Sequence, residues 1–137
     1  MWSDTKQEKK MSEKKALIVD DEIHIIQVIA IKLKNNGFEV VTANNGQEAL
    51  EAALEHEPDV IVTDYQMPVM DGLGLIENLR KQEQTAQIPV IMLTARDFAI
   101  ESEAVEQLKI SACLSKPFSP RELLEKVKEV MVQAATA

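Results

Sequence analysis

Apolar and polar positions fall into two kinds of block that alternate along the chain. One kind is a short, nearly unbroken apolar run: 16–19 (Ala16-Leu17-Ile18-Val19), 38–42, 59–63, 88–93 and 110–114. Runs of this length, rich in Val and Ile, suit strands buried on both faces, as in a parallel sheet. The other kind carries apolar residues three and four apart. These stretches read as helices over about 22–35, 47–56, 72–83, 97–108 and 119–133. Gly37, after Asn35-Asn36, offers a left-handed stop for the first helix. Acids at Asp20-Asp21-Glu22 are placed to complement its dipole. Ser119-Pro120 reads as an N-cap with proline in the first helical position of the last helix. Pro89 sits near the start of its strand, where a missing donor is tolerated.

Strictly alternating strands and helices imply an α/β fold, a doubly wound (βα)5 arrangement with a five-stranded parallel sheet. The flavodoxin-like order 2-1-3-4-5 fits this size. The 137 residues form one domain, with 15–137 as the folded unit. Residues 1–14 are polar and lysine-rich, and read as a disordered lead or an added remnant, with a basic docking arm as the sharper alternative.

Charge narrows the choice. The net charge of −8 argues against direct nucleic-acid binding, which needs a basic face. No apolar run is long enough to cross a membrane, and the first residues lack a signal-peptide core. The single cysteine, Cys113, excludes an intrachain disulfide and points to a cytoplasmic location.

The chemistry lies at the strand ends. Asp20-Asp21 follow the first strand, Asp64 the third, Thr94 the fourth and Lys116 the fifth. In a parallel sheet of order 2-1-3-4-5 these ends share one edge, so three carboxylates, a hydroxyl and an ammonium meet. Crowded carboxylates raise one another's pKa unless a cation sits among them. Oxygen ligands favour a hard ion such as Mg2+. Lys is suited to a phosphate oxygen. With that charge absorbed, one Asp can act as nucleophile towards a phosphoryl group.

These residues carry a resemblance. Leu17-Ile18-Val19-Asp20-Asp21-Glu22, Val62 to Pro68, Met70-Asp71-Gly72, Leu93-Thr94-Ala95 and Lys116-Pro117-Phe118 together resemble the response-regulator receiver domain of two-component phosphorelay signalling, over about 15–133. The resemblance implies that Asp64 is the phospho-acceptor, making the chain a phosphoprotein charged by a sensor histidine kinase or histidine phosphotransfer protein. It implies Mg2+ held by Asp20, Asp21, Asp64 and the Gln66 backbone carbonyl, with Thr94 and Lys116 contacting the phosphoryl group. It implies a cis Lys116–Pro117 bond and an open phosphoryl route beside the small Ala95. It also implies a downstream protein bound through the fourth helix, fifth strand and fifth helix, with a transient homodimer left open. The expected role is a signalling receiver rather than a turnover enzyme, with no output domain encoded; a domain cut from a larger protein is the variant.

Some positions depart from the family pattern. Cys113 stands where an aromatic residue usually rotates inward, which puts the usual Thr–aromatic switch in doubt. Lys109-Ile110 replace the usual Gly-Ala. Gln66 and Arg96 flank the attacking water's path in such domains, so a long phosphoryl lifetime is expected. Cys113 itself reads as a buried structural thiol rather than a redox sensor. His24 and His56 read as surface residues rather than metal ligands or relay histidines. The stretch from Ile23 to Leu33 is apolar nearly all round, which means deep burial or an exposed patch for a partner helix; burial is the expectation. Two other classes fit less well. A phosphatase of the haloacid-dehalogenase type would need a second Asp where Gln66 stands. An FMN carrier would need a phosphate loop where Asp20-Asp21-Glu22 would repel it.

Overall fold

The computed structural model describes residues 14–95 and 100–136, with side chains to 134. Five strands alternate with five helices: β1 (Lys15–Val19), α1 (Ile23–Lys34), β2 (Glu39–Ala43), α2 (Gly46–His56), β3 (Val60–Asp64), α3 (Gly72–Lys81), β4 (Val90–Thr94), α4 (Ser102–Leu108), β5 (Ala112–Ser115) and α5 (Pro120–Thr136). All pairings are parallel, and the sheet order is β2-β1-β3-β4-β5. The sequence-based expectation of a flavodoxin-like doubly wound sheet is met.

Period-two geometry sends alternate strand residues to opposite faces. Ala16, Ile18, Val60, Val62, Ile91 and Leu93 pack with Ile26, Ile29 and Leu33 of α1 and Leu123, Val127 and Val130 of α5. Leu17, Val19, Ile61, Val90 and Met92 pack on the other side with Ala49 and Ala53 of α2 and Leu75, Ile76 and Leu79 of α3. Every residue of β3 and β4 is buried. This explains why those runs show no alternation in the sequence.

Several boundaries moved for identifiable reasons. α3 stops at Lys81 rather than 83, because the buried Thr85 hydroxyl donates to the Leu79 carbonyl (2.6 Å) and folds the chain back. β4 begins at Val90, leaving Pro89 outside the strand, where its carbonyl accepts from Ile61 N–H (3.0 Å). β5 begins at Ala112, because Ile110 turns into the core instead. α4 begins at Ser102, later than the expected 97; part of the early stretch lies outside the described residues. Gly37 takes the left-handed conformation (φ 92°) that the end of α1 requires. Lys109 takes it too (φ 56°), so the turn a glycine would have made is kept without one. α5 opens with a reciprocal capping box: Glu122 N–H donates to Ser119 Oγ (3.0 Å), and Ser119 N–H donates to Glu122 Oε1 (2.9 Å).

Three expectations are corrected. α1 is not buried all round. Ile26, Ile29, Ala30 and Leu33 face the core, but Ile23, Val28 and Ile31 are 55%, 48% and 60% exposed. Among the described residues α1 packs against β1, β2 and α5, and its outer face keeps its apolar residues in solvent. Nor do the acids lie in its first turn: Glu22 is the N-cap residue and makes no side-chain cap. Cys113 is exposed rather than buried, because β5 is an edge strand and no residue of α4 is buried to cover it. Desolvation of the thiol still pushes its pKa up, which works against a reactive thiolate. The lead at 1–14 lies outside the described residues, apart from Lys14.

Candidate functional site

Register aligns the strand ends. Val19 pairs with Thr63, Asp64 with Leu93, and Thr94 with Ser115. Asp20 therefore emerges beside Asp64, and Lys116 just beyond Thr94. β1 is flanked by β2 on one side and β3 on the other, so successive connections leave in opposite directions. Crevices form at such a switch point, outside the carboxyl ends of the strands.

The three carboxylates of Asp20, Asp21 and Asp64 each offer an oxygen, and these oxygens all lie within 4.8 Å of one another. Asp20 and Asp64 are buried, while Asp21 is exposed. Lys116 Nζ lies 3.2 Å from Asp20 Oδ2, 3.3 Å from Asp64 Oδ1 and 3.3 Å from Glu22 Oε1. Asp20 Oδ1 also accepts from Glu22 N–H (2.9 Å), and Asp64 Oδ1 from Tyr65 N–H (3.0 Å).

Burial raises the pKa of Asp20; the Glu22 N–H and Lys116 oppose it, and the Asp64 charge adds to it. Burial likewise raises Asp64 against the pull of Lys116 and the Tyr65 N–H. For Lys116, burial disfavours the ammonium, but the charges of Asp20 and Asp64 outweigh it and lift its pKa. The cluster thus holds more negative charge than one lysine neutralises. An all-oxygen donor set with one exposed member and an excess of charge fits a hard divalent cation.

The pocket above the cluster has a volume of about 680 Å3 and opens to solvent. Asp21, Glu22, Asp64, Gln66, Asp71, Ala95 and Lys116 are among the residues lining it. Thr94, the last residue of β4, is almost fully buried and does not form the pocket surface; its carbonyl accepts from Lys116 N–H (2.7 Å). The Lys116–Pro117 peptide is cis, as the resemblance implied. Gly72 brings the start of α3 against β3: a Cβ there would lie 2.6 Å from the Asp64 carbonyl oxygen. Asp71 caps α3 by accepting from Gly74 N–H (2.8 Å).

The structure thus unites Asp20, Asp21, Asp64 and Lys116, and places Gln66 on the rim. It adds Glu22, whose contact with Lys116 the sequence did not suggest; its adjacency to the acidic pair was the only signal. Arg96 lies outside the described residues. His24 is exposed and His56 half-buried, and neither joins the carboxylate cluster. Met92 is core, and Met67 and Met70 pack against the same core.

A second hollow of about 600 Å3 adjoins the first. It is walled by Ile25, Val28, Ile29, Pro117 and Phe118, and shares Ala95 and Lys116 with the acidic pocket. No helix among the described residues is long and apolar enough to cross a membrane.

Comparison with known proteins agrees with this geometry. Residues 16–128 match the family described as response regulator receiver domain. The chain is 37% identical over 124 residues to the alkaline phosphatase synthesis transcriptional regulatory protein PhoP of Bacillus subtilis, covering 90% of this chain and 51% of that protein. It is 39% identical over 123 residues to the phosphate regulon transcriptional regulatory protein PhoB of Pseudomonas aeruginosa, covering 88% of this chain and 53% of that one. The chain therefore spans about half the length of these curated relatives. Among solved structures, the chemotaxis response regulator CheY4 of Vibrio cholerae superposes with a TM-score of 0.79 at 36% identity, covering 85% of this chain and 98% of that one.

Proposed function

This chain belongs to the response regulator receiver family, and from that premise we propose that Asp64 is the residue that accepts the phosphoryl group. The observation that carries this is the placement of Asp64 at the buried end of β3, next to Lys116 and two further carboxylates, and facing an open pocket. As a receiver of two-component signalling, the chain implies a sensor kinase or phosphotransfer protein as its phosphodonor. An oxygen of Asp64 attacks phosphorus, the bond from phosphorus to the donor histidine breaks, and an aspartyl phosphate forms. Lys116 is already within ion-pair reach and compensates charge on the transferred group. Thr94 contributes its hydroxyl to a phosphoryl oxygen.

Asp20, Asp21, Asp64 and the Gln66 carbonyl would hold Mg2+, and their donor set suits it. When bound, the ion would neutralise the charge shared by the carboxylates and the phosphoryl oxygens. Hydrolysis of the acyl phosphate returns the carboxylate, so the role is a timed switch and not turnover of a free substrate. Gln66 at the rim narrows the water's route, which favours slow decay.

The donor sits on the α1 side of the pocket, where the apolar hollow, walled in part by the exposed Val28, reaches Lys116. The downstream protein uses the α4–β5–α5 face; without an aromatic at Cys113 that face answers to Thr94 alone. A transient homodimer is the alternative occupant of that face. Residues 15–137 act as the receiver unit, in the cytoplasm.

Intact-mass analysis after incubation with acetyl phosphate tests the central claim. One added phosphoryl group is expected in wild type with Mg2+, and none in Asp64→Asn or without the ion. An adduct that persists in Asp64→Asn would remove Asp64 from the role.

A further inference from the structure

α4 differs from the other four helices in how it is held. It has seven residues, and none of them is buried. Its N-cap residue, Glu101, makes no side-chain cap, and its last turn carries no basic residue of its own. A helix this short has little intrinsic stability in water, so tertiary contacts must hold it. Its carboxyl end is nevertheless fixed in a left-handed turn at Lys109, a conformation that costs energy for any residue with a side chain.

The missing support comes from α3. The Arg80 guanidinium donates from Nε to the Leu108 carbonyl (2.9 Å) and from Nη2 to the Lys109 carbonyl (3.1 Å). Its Nη1 donates to the carbonyls of Thr85, Ala86 and Ile88 at 3.3, 3.0 and 2.8 Å. Every one of these acceptors is backbone. The guanidinium thus brings a charged donor from α3 to the carbonyls of Leu108 and Lys109, groups of the kind that every helix leaves open at its carboxyl end. The same side chain braces the turn between α3 and β4. A planar fork can bridge these segments at once; an ammonium cannot reach all of them.

We propose that Arg80 is a pin at the carboxyl end of α4, making α4 a helix hinged there and loosely held at its amino end. The pin itself does not depend on Asp64 being the acceptor. Only its consequence, control over the partner-binding face, rests on the reading given above.

Hydrogen exchange on the full chain tests this, comparing wild type with Arg80→Met, which keeps the stem, and Arg80→Lys, which keeps the charge. In wild type, protection should rise from Val105 to Ile110, whose N–H groups donate to Glu101 and Val105. Arg80→Met should speed exchange at Leu108, Lys109 and Ile110 by about tenfold or more, the size expected for losing charged hydrogen bonds. Arg80→Lys should restore part of that protection. Amides of Ile18 and Val62, in the central strands, should keep their rates. Equal acceleration across the sheet would make Arg80 a general stabiliser and overturn the pin. So would unchanged exchange at 108–110, or uniform protection along α4 in wild type. Should Arg80→Met fail to fold, Arg80→Lys carries the same comparison. Acetyl phosphate labelling of each variant separates the two readings: labelling reports on Asp64, exchange on Arg80.

Discussion

Asp64 and Asp20 are carboxylates kept in an unfavourable place. Burial raises both pKa values above the ordinary 3.8. The folded state then binds protons more tightly than the unfolded one. Stability therefore falls as pH rises from the unfolded pKa through the raised folded pKa, and stays at that lower level above it. Asp64→Asn removes one of the crowded charges, and should stabilise the metal-free protein at pH 7 by about 1 kcal/mol, the usual scale for relaxing a functional site. The gain should shrink towards pH 4; urea melts at the two pH values would check it, and a loss of stability at pH 7 would oppose it. At neutral pH Lys116 contributes stability where the two carboxylates cost it. Its raised pKa contributes stability that is complete below the unfolded value and is lost only as pH rises through the folded one. Val69 is strained for a different reason. It holds φ 73° at the tip of the loop after β3, 82% exposed, with Met70 N–H bonded back to the Pro68 carbonyl (2.8 Å). A β-branched side chain resists this conformation and glycine does not. Val69→Gly should raise stability by about 1 kcal/mol in a thermal melt.

Among elements, α1 and α4 show how much a helix depends on what covers it. α1 reads as apolar on every side, yet only one face has a sheet to pack on. Ile29→Ala should cost about 2–5 kcal/mol through the cavity it leaves. Ile31→Ala, two residues away on the exposed face, should change stability by less than about 0.5 kcal/mol. Equal costs in denaturant melts would mean that α1 is buried all round after all. α4 is the converse: a helix legible from Ala104, Val105 and Leu108, whose apolar residues are only half-buried, Val105 and Leu108 against the margin of one core.

On the scale of the molecule, the sheet edge concentrates charge that the fold alone does not relieve. A divalent cation that binds this cluster only in the folded state should stabilise by mass action. At a Mg2+ concentration of about a hundred times its Kd the expected gain is about 2.7 kcal/mol. Melts with added Mg2+ and with a chelator measure it, and the shift should collapse in Asp64→Asn. No shift in wild type would show that the cluster does not hold the ion.

The sequence by itself determined the element order, the class of sheet and the strand-end residues. Each of these is written in local signals: the length of an apolar run, a helical repeat, a proline or glycine at a boundary. Asp20, Asp64 and Lys116 were readable because a parallel sheet sends all its carboxyl ends to one edge, whatever the details of packing. Only the tertiary structure decided which face of α1 meets solvent, that Cys113 lies open, that Glu22 reaches Lys116, and that Arg80 closes α4. Those outcomes depend on which segments lie side by side in space. Arg80 and Leu108 are far apart along the chain, and no local pattern records that a guanidinium on one helix will find the carbonyls at the end of another.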